Sequence, residues 1–179
     1  MKAKCQDRGK RGRTISLNSS ERIPLKRAQT GEDIEITVKS GVIRIAANHS
    51  KNAEDITLAF TCRADVFKFH YPENLELSIE AITDTTYTVG SISRIESDTS
   101  DSIMDWIIQF HIMRHEKNLE NRLIKFFRLL MTRLGKRTSK GLLLEHTLSH
   151  ARIAEIVGST RSTVSRTLST LRKSRQIYI

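Results

Sequence analysis

What this 179-residue chain lacks narrows its class. No run of 18 or more apolar residues occurs, so no segment can span a bilayer as a helix, and no membrane partner is expected. The first residues hold no apolar stretch of the kind a secretory signal needs, and Asp7 and Glu21 break the acid-poor pattern of a transit peptide. There are only two cysteines, Cys5 and Cys62, too few for a four-thiolate metal or cluster site and consistent with a reducing compartment. A Gly-rich phosphate loop, a nucleophile elbow and a metal triad are all missing, so the chain is not expected to be an enzyme, to hold catalytic residues or to bind a metal. The six histidines are scattered at 49, 70, 111, 115, 146 and 150. His111 and His115 stand four apart on one expected helix, but no third ligand lies near in sequence except Glu116, which points elsewhere. Between residues 140 and 177 the only rings are those of His146 and His150, so the stacking aromatics that RNA readers use are missing there.

Charge is present in quantity and is unevenly placed. Residues 1–22 carry seven Lys/Arg against two acids, residues 23–120 ten against sixteen, and residues 121–179 thirteen against Glu145 and Glu155 alone. An acidic middle therefore joins a C-terminal third with a surplus of +11. Such an end is suited to a polyanion.

Residues 1–22, with Gly9, Gly12 and Ser19-Ser20 and no hydrophobic period, are expected to be a disordered basic tail. From Ile23 the pattern alternates. Strands are predicted at Ile34–Val38, Val42–Ile45, Ile56–Thr61, Val66–Tyr71, Leu75–Ile79 and Tyr87–Ile92, broken by turn residues such as Gly41, Asn48, Pro72 and Asp84. Many short strands at this spacing suggest a small antiparallel barrel or roll over residues 23–97. Near Asp98 the period changes to that of a helix covering 98–120, with Asp101 able to begin it. Ile103, Trp106, Phe110 and Met113 fall at heptad a and d positions and are read as a seam against a second copy, the alternative being packing on the chain's own roll. A second helix is predicted over Leu119–Leu134 with Gly135 as its stop, then a basic loop at 136–140 and a short apolar strand at Leu142–Leu144.

The densest signal lies at residues 149–173. Ser149 can cap a short helix whose inner face is Ile153, Ile156 and Val157, and Ala154 is small where a second helix would cross. Gly158 sits where a sharp turn demands positive φ. Thr160 can cap the next helix, whose stripe is Val164, Leu168 and Leu171. Arg161, Ser162 and Arg166 remain on the outer N-terminal half, the part of a recognition helix that reaches base edges. An Arg fork matches guanine O6 and N7, so these three are assigned to bases. Ser149, His150, Thr160, Thr163 and Ser165 are assigned to phosphate oxygens.

The run "LSHARIAEIVGSTRSTVSRTLSTLRKSRQI", with "VKSGVIRI" and "LENRLIKFFRLLM" upstream, resembles the cyclic-AMP receptor/FNR superfamily of transcription regulators. Its "IVGSTRSTVSR" core is most similar to the cyanobacterial global nitrogen regulators and their plastid-encoded homologues. That resemblance implies an α+β chain: a cupin-like antiparallel β-roll, a long connecting and dimerisation helix at 98–120, and a winged helix-turn-helix at 121–179. It further implies a homodimer on palindromic double-stranded DNA, RNA polymerase as a partner, control of nitrogen-related genes, and the chloroplast stroma or a bacterial cytoplasm as the site of action.

Departures from the family pattern matter too. The cyclic-AMP receptor carries an acid where Ser162 stands, and the stretch 63–82 lacks the Gly-Glu and Arg-Ser/Thr-Ala elements that hold a cyclic nucleotide. "YPENLELSIE" and the helix around Ile103 offer no matching arginines for 2-oxoglutarate, leaving Arg63 and Lys68 as the local cations, both expected to be solvated. No cofactor is therefore expected. The chain runs out at Gln176–Ile179 after one wing strand, so a truncated wing is expected. The competing function is nonspecific binding of DNA or RNA without an effector.

Overall fold

The computed structural model describes residues 13–26, 33–48, 55–63, 65–72, 75–92, 101–139, 141–175 and 177. Eight strands form its first half: β1 (Arg13–Leu17), β2 (Arg22–Leu25), β3 (Asp33–Ser40), β4 (Val42–Asn48), β5 (Ile56–Cys62), β6 (Val66–His70), β7 (Glu76–Ala81) and β8 (Thr85–Ile92). They pair antiparallel in two four-stranded sheets, ordered β1-β8-β3-β6 and β2-β7-β4-β5. Alternation explains β3: Ile34, Ile36 and Val38 are buried while Asp33, Glu35 and Thr37 are only partly covered. By contrast, β4 is buried on both faces from Val42 to Ala47. One face lines the roll, and the other, carrying Arg44, is covered by the helical half. Gly41, at φ +82°, makes the tight turn between β3 and β4.

Among the described residues four helices and a hairpin follow: α1 (Ser102–Arg114), α2 (Leu119–Leu134), the hairpin of β9 (Lys136–Thr138) and β10 (Gly141–Leu143), α3 (His150–Val157) and α4 (Arg161–Lys173). Asp101 caps α1 by accepting from the N–H groups of Ile103 and Met104, and Asn118 caps α2 by accepting from Asn121. Each such cap is worth about 1 kcal/mol. Trp106 meets Phe60 edge-on at 5.7 Å and Phe110 at 5.4 Å, and Phe110 meets Phe126 at 6.5 Å. This aromatic chain ties β5, α1 and α2 into a core continuous with that of the roll.

The structure revises several expectations. The expected seam of Ile103, Trp106, Phe110 and Met113 faces inward: all four are buried against the chain's own β-strands and helices. The reason is that α1 is apolar on two faces. Its larger aromatic face is buried at home, and a second stripe of Met104, Ile107, Ile108 and Ile112 stands exposed. The expected 98–120 helix is shorter, because α1 ends at Arg114 with His115 as its C-cap, and a new cap at Asn118 starts α2.

The expected tail at 1–22 is ordered over its second half. Ile15 and Leu17 on β1, and Ile23 and Leu25 on β2, pack on the core from the edges of the two sheets. The alternation there is too short to register as a period, and Pro24 is tolerated because β2 is an edge strand. Residues 1–12 lie outside the described residues. The basic loop at 136–140 is instead the first arm of the β9–β10 hairpin, with Leu142 and Leu143 exposed. The expected wing falls at 176–179, of which only Ile177, packed on the core, is described.

Candidate nucleic-acid interface

The helix-turn-helix is built by the residues that its pattern named. Ser149 accepts from the Arg152 N–H at 3.2 Å and so caps α3. Gly158 ends α3 in the left-handed region at φ +67°, ψ +56°, which lets the N–H groups of Gly158 and Ser159 both reach the Ala154 carbonyl. Thr160 then caps α4, accepting from the Thr163 N–H at 3.2 Å. Ile153, Ala154, Ile156 and Val157 on α3 and Val164, Leu168 and Leu171 on α4 are buried, which sets the angle between the two helices.

That packing turns the rest of α4 outward. Arg161, Ser162 and Arg166 are exposed, and neither arginine forms an ion pair among the described residues. The Arg166 side chain makes a long contact, its Nε donating to the Ser162 carbonyl at 3.4 Å. Thr160 Oγ1 lies 3.1 Å from Ser162 Oγ and 2.8 Å from Thr163 Oγ1, so three hydroxyls cluster at the α4 N-terminus, where four backbone N–H groups begin the helix. Thr163 and Ser165 are partly covered, as is His150 at the start of α3, and Ser149 is exposed. All eight residues assigned to DNA thus lie on α3, α4 or their caps, with the three base-reading candidates on the open face of α4.

A second set of residues, which the sequence reading missed, positions this unit. Arg44 is fully buried; its Nε donates to Thr57 Oγ1 at 2.8 Å, and its other nitrogens pair with Asp55 at 2.6 Å and with Glu80. From α3, Arg152 reaches Asp55 at 3.2 Å and Glu80 at 3.3 Å, while Glu155 accepts from the Thr57 N–H at 2.9 Å and from its hydroxyl at 2.6 Å. Arg22 joins at Asp55, 3.2 Å away. Three guanidinium groups therefore face three carboxylates, which lets charge be buried between the roll and α3 without excess of either sign. Burial alone would raise the Asp55 carboxyl, but the hydrogen bond and charge of Arg44, helped by Arg152, hold it at about 2. These partners are spread over positions 22 to 155, so no local pattern reveals them. The local cation Lys68 is spent on Glu35 at 3.5 Å.

Two more arginines clamp the turn itself. Arg114 at the end of α1 donates to the carbonyls of Ile156 at 2.7 Å and Glu155 at 2.6 Å. Arg122 on α2 donates to Val157 at 3.3 Å and Gly158 at 3.4 Å. Both satisfy carbonyls that the end of α3 leaves without helical partners. Just before α3, His146 is buried, and its Nε2 has no hydrogen-bond partner among the described residues. Burial holds its pKa below the ordinary value, and the charge of Glu145 offsets this only in part.

Comparison with known proteins agrees with this geometry. Residues 121–178 match the Crp-like helix-turn-helix domain family. Over 80 residues, 45% of the chain, it is 35% identical to the global nitrogen regulator of Synechococcus elongatus and 34% identical to that of a Nostoc species. The matched stretch covers 36% and 35% of those two relatives, so the likeness reaches only about a third of their length. Across nearly the whole chain the fold is similar to that of solved regulators. FixK2 of Bradyrhizobium japonicum has a TM-score of 0.67 at 20% identity, covering 94% of this chain and 88% of that one. The CRP-family regulator TTHB099 of Thermus thermophilus has a TM-score of 0.65 at 18% identity, covering 92% and 87%. A CooA variant from Carboxydothermus hydrogenoformans has a TM-score of 0.62 at 22% identity, covering 91% and 77%.

Proposed function

We propose that this chain, which carries a Crp-like helix-turn-helix domain at residues 121–178 behind a β-roll of the CRP/FNR type, is a transcription regulator that reads duplex DNA as a two-fold dimer. The observation that carries the reading is the division of α4 into a buried Val164–Leu168–Leu171 stripe and an open face bearing Arg161, Ser162 and Arg166. Arg161 and Arg166 supply forks for guanine O6 and N7, each worth about 1–3 kcal/mol against a wrong base. Ser149, His150, Thr160, Thr163 and Ser165 take the phosphates and fix the register.

Dimerisation uses the exposed stripe of α1. Met104, Ile107, Ile108 and Ile112 hold apolar side chains in water along one face of α1, and a second copy related by a two-fold axis would cover it. The paired α4 helices would then address half-sites about one duplex turn apart, roughly 34–36 Å. The bound regulator acts through RNA polymerase, and nitrogen-related genes are its first candidates because the matched relatives bear the name of nitrogen regulators. Neither a cyclic nucleotide nor 2-oxoglutarate is part of this reading, since Arg44 is already saturated by Asp55, Glu80 and Thr57.

Selection of bound sites from random duplexes tests this directly. The native chain should return a palindrome that survives unrelated competitor DNA, and Arg161→Ala with Arg166→Ala should lose that preference while keeping a native fold by circular dichroism. Loss of all binding to competitor would leave only a nonspecific binder, and an unchanged motif from the double variant would overturn the assignment of Arg161 and Arg166 to bases. Ile108→Glu should sediment as monomer.

A further inference from the structure

On the outer face of α1, Met104, Ile108, His111 and His115 recur at intervals of four, three and four residues, with Ile107 and Ile112 on either side. This is the a/d spacing of a two-stranded seam, on the side of the helix opposite the buried Trp106. Its last two layers are imidazoles where apolar side chains would pack better. Both rings are exposed, stand nearly perpendicular at 78°, and bring their Nε2 atoms to 3.0 Å. Two zinc-bound imidazole nitrogens at 2.0–2.1 Å from the metal stand about 3.3 Å apart in a tetrahedron. The pair needs to open by only a few tenths of an ångström.

Within one chain the pair is half a site, for among the described residues no group of three or more His, Cys, Asp or Glu could hold a metal. Glu116, adjacent in sequence, is turned away to Lys125. We propose that His111 and His115 together with the same pair from a second copy form a four-imidazole site for a divalent, zinc-class cation at the C-terminal end of the α1 seam. The inference rests on the dimer reading above, because a parallel two-fold arrangement brings four Nε2 atoms to one point on the axis. Four neutral nitrogen donors suit a borderline cation such as zinc or cobalt and disfavour calcium or magnesium, which take oxygen. Since Arg114 lies between the two histidines in sequence and grips the end of α3, a metal there would stiffen the segment that aims the reading helices.

The test uses the full chain stripped with chelator, then titrated with cobalt(II) and zinc(II) while oligomeric state is followed by sedimentation. The expected result is a dimer before and after metal, one metal per two chains, an intense tetrahedral cobalt spectrum, and at least a tenfold tighter dimer with zinc. Both His111→Ala and His115→Ala should abolish the spectrum and keep the metal-free dimer. A normal dimer with no tetrahedral spectrum overturns the site and leaves the dimer reading standing. One metal per monomer with a weak octahedral spectrum also overturns it. A chain that stays monomeric throughout overturns the dimer reading and the site together.

Discussion

Glu155, on the first helix of the helix-turn-helix, accepts two hydrogen bonds from one roll residue: the Thr57 N–H at 2.9 Å and the Thr57 hydroxyl at 2.6 Å. Glu155→Ala leaves both donors without that acceptor and frees Arg152 from a neighbouring carboxylate 3.6 Å away. A loss of about 1–3 kcal/mol is expected in urea unfolding. Hydrogen exchange should quicken at Thr57 and along α3, while the buried face of α4 keeps its protection. An unchanged midpoint would show that this contact does not hold the two halves together.

Arg44 provides a sharper test. Arg44→Ala leaves Glu80 with Arg152 and Asp55 with Arg152 and the half-exposed Arg22, and a cost of about 3–5 kcal/mol follows for an ion network broken from one side. Arg44→Lys should recover little, since an ammonium cannot reach Thr57, Asp55 and Glu80 at once. The same network is expected to answer to acid. Asp55 sits at about 2 when folded and ordinarily titrates at 3.8, so its stabilising contribution is complete above 3.8 and disappears as pH drops from there toward 2. Asp55→Asn should flatten that part of the stability curve.

His146 gives a second pH dependence at a milder range. Its folded pKa lies below 6.5, so the unfolded chain binds the proton first and stability falls as pH goes down through 6.5. His146→Phe removes the titration and the unpartnered Nε2 together. Thermal melts between pH 7.5 and 5 should show a smaller fall in Tm for the variant than for the native chain. Parallel curves would assign the acid sensitivity elsewhere.

Gly158→Ala separates backbone strain from crowding. A Cβ there would meet nothing closer than Arg114 Nε at 3.9 Å, so the expected cost is that of the left-handed conformation, about 1 kcal/mol. Site selection should return the native motif with lower yield. A much larger loss would mean that the turn tolerates no adjustment.

Local signals proved readable. Both caps of the helix-turn-helix, its glycine turn, the α2 limits and six strands lie where short-range pattern places them, because each depends on residues within a turn or a strand of one another. The α1 face was misjudged for a physical reason: Ile103 and Met104, Trp106 and Ile107, Phe110 and Ile112 are all apolar, so periodicity alone does not say which stripe the roll claims. Phe60, 46 residues upstream, makes that choice by meeting Trp106. The Arg44 network was invisible for a related reason. An arginine inside an alternating strand reads as solvent-facing until Thr57, Glu80 and Arg152 close over it.

Because the carboxylates of Asp55 and Glu80 belong to the roll while Arg152 comes from α3, each half loses half-buried ion-pair partners if the other is exchanged. A chimaera that grafts residues 121–179 onto a foreign β-roll would carry Arg152 and Glu155 into a surface with no complement. Swapping reading heads in this architecture therefore means transplanting Arg22, Arg44, Asp55, Thr57 and Glu80 along with them.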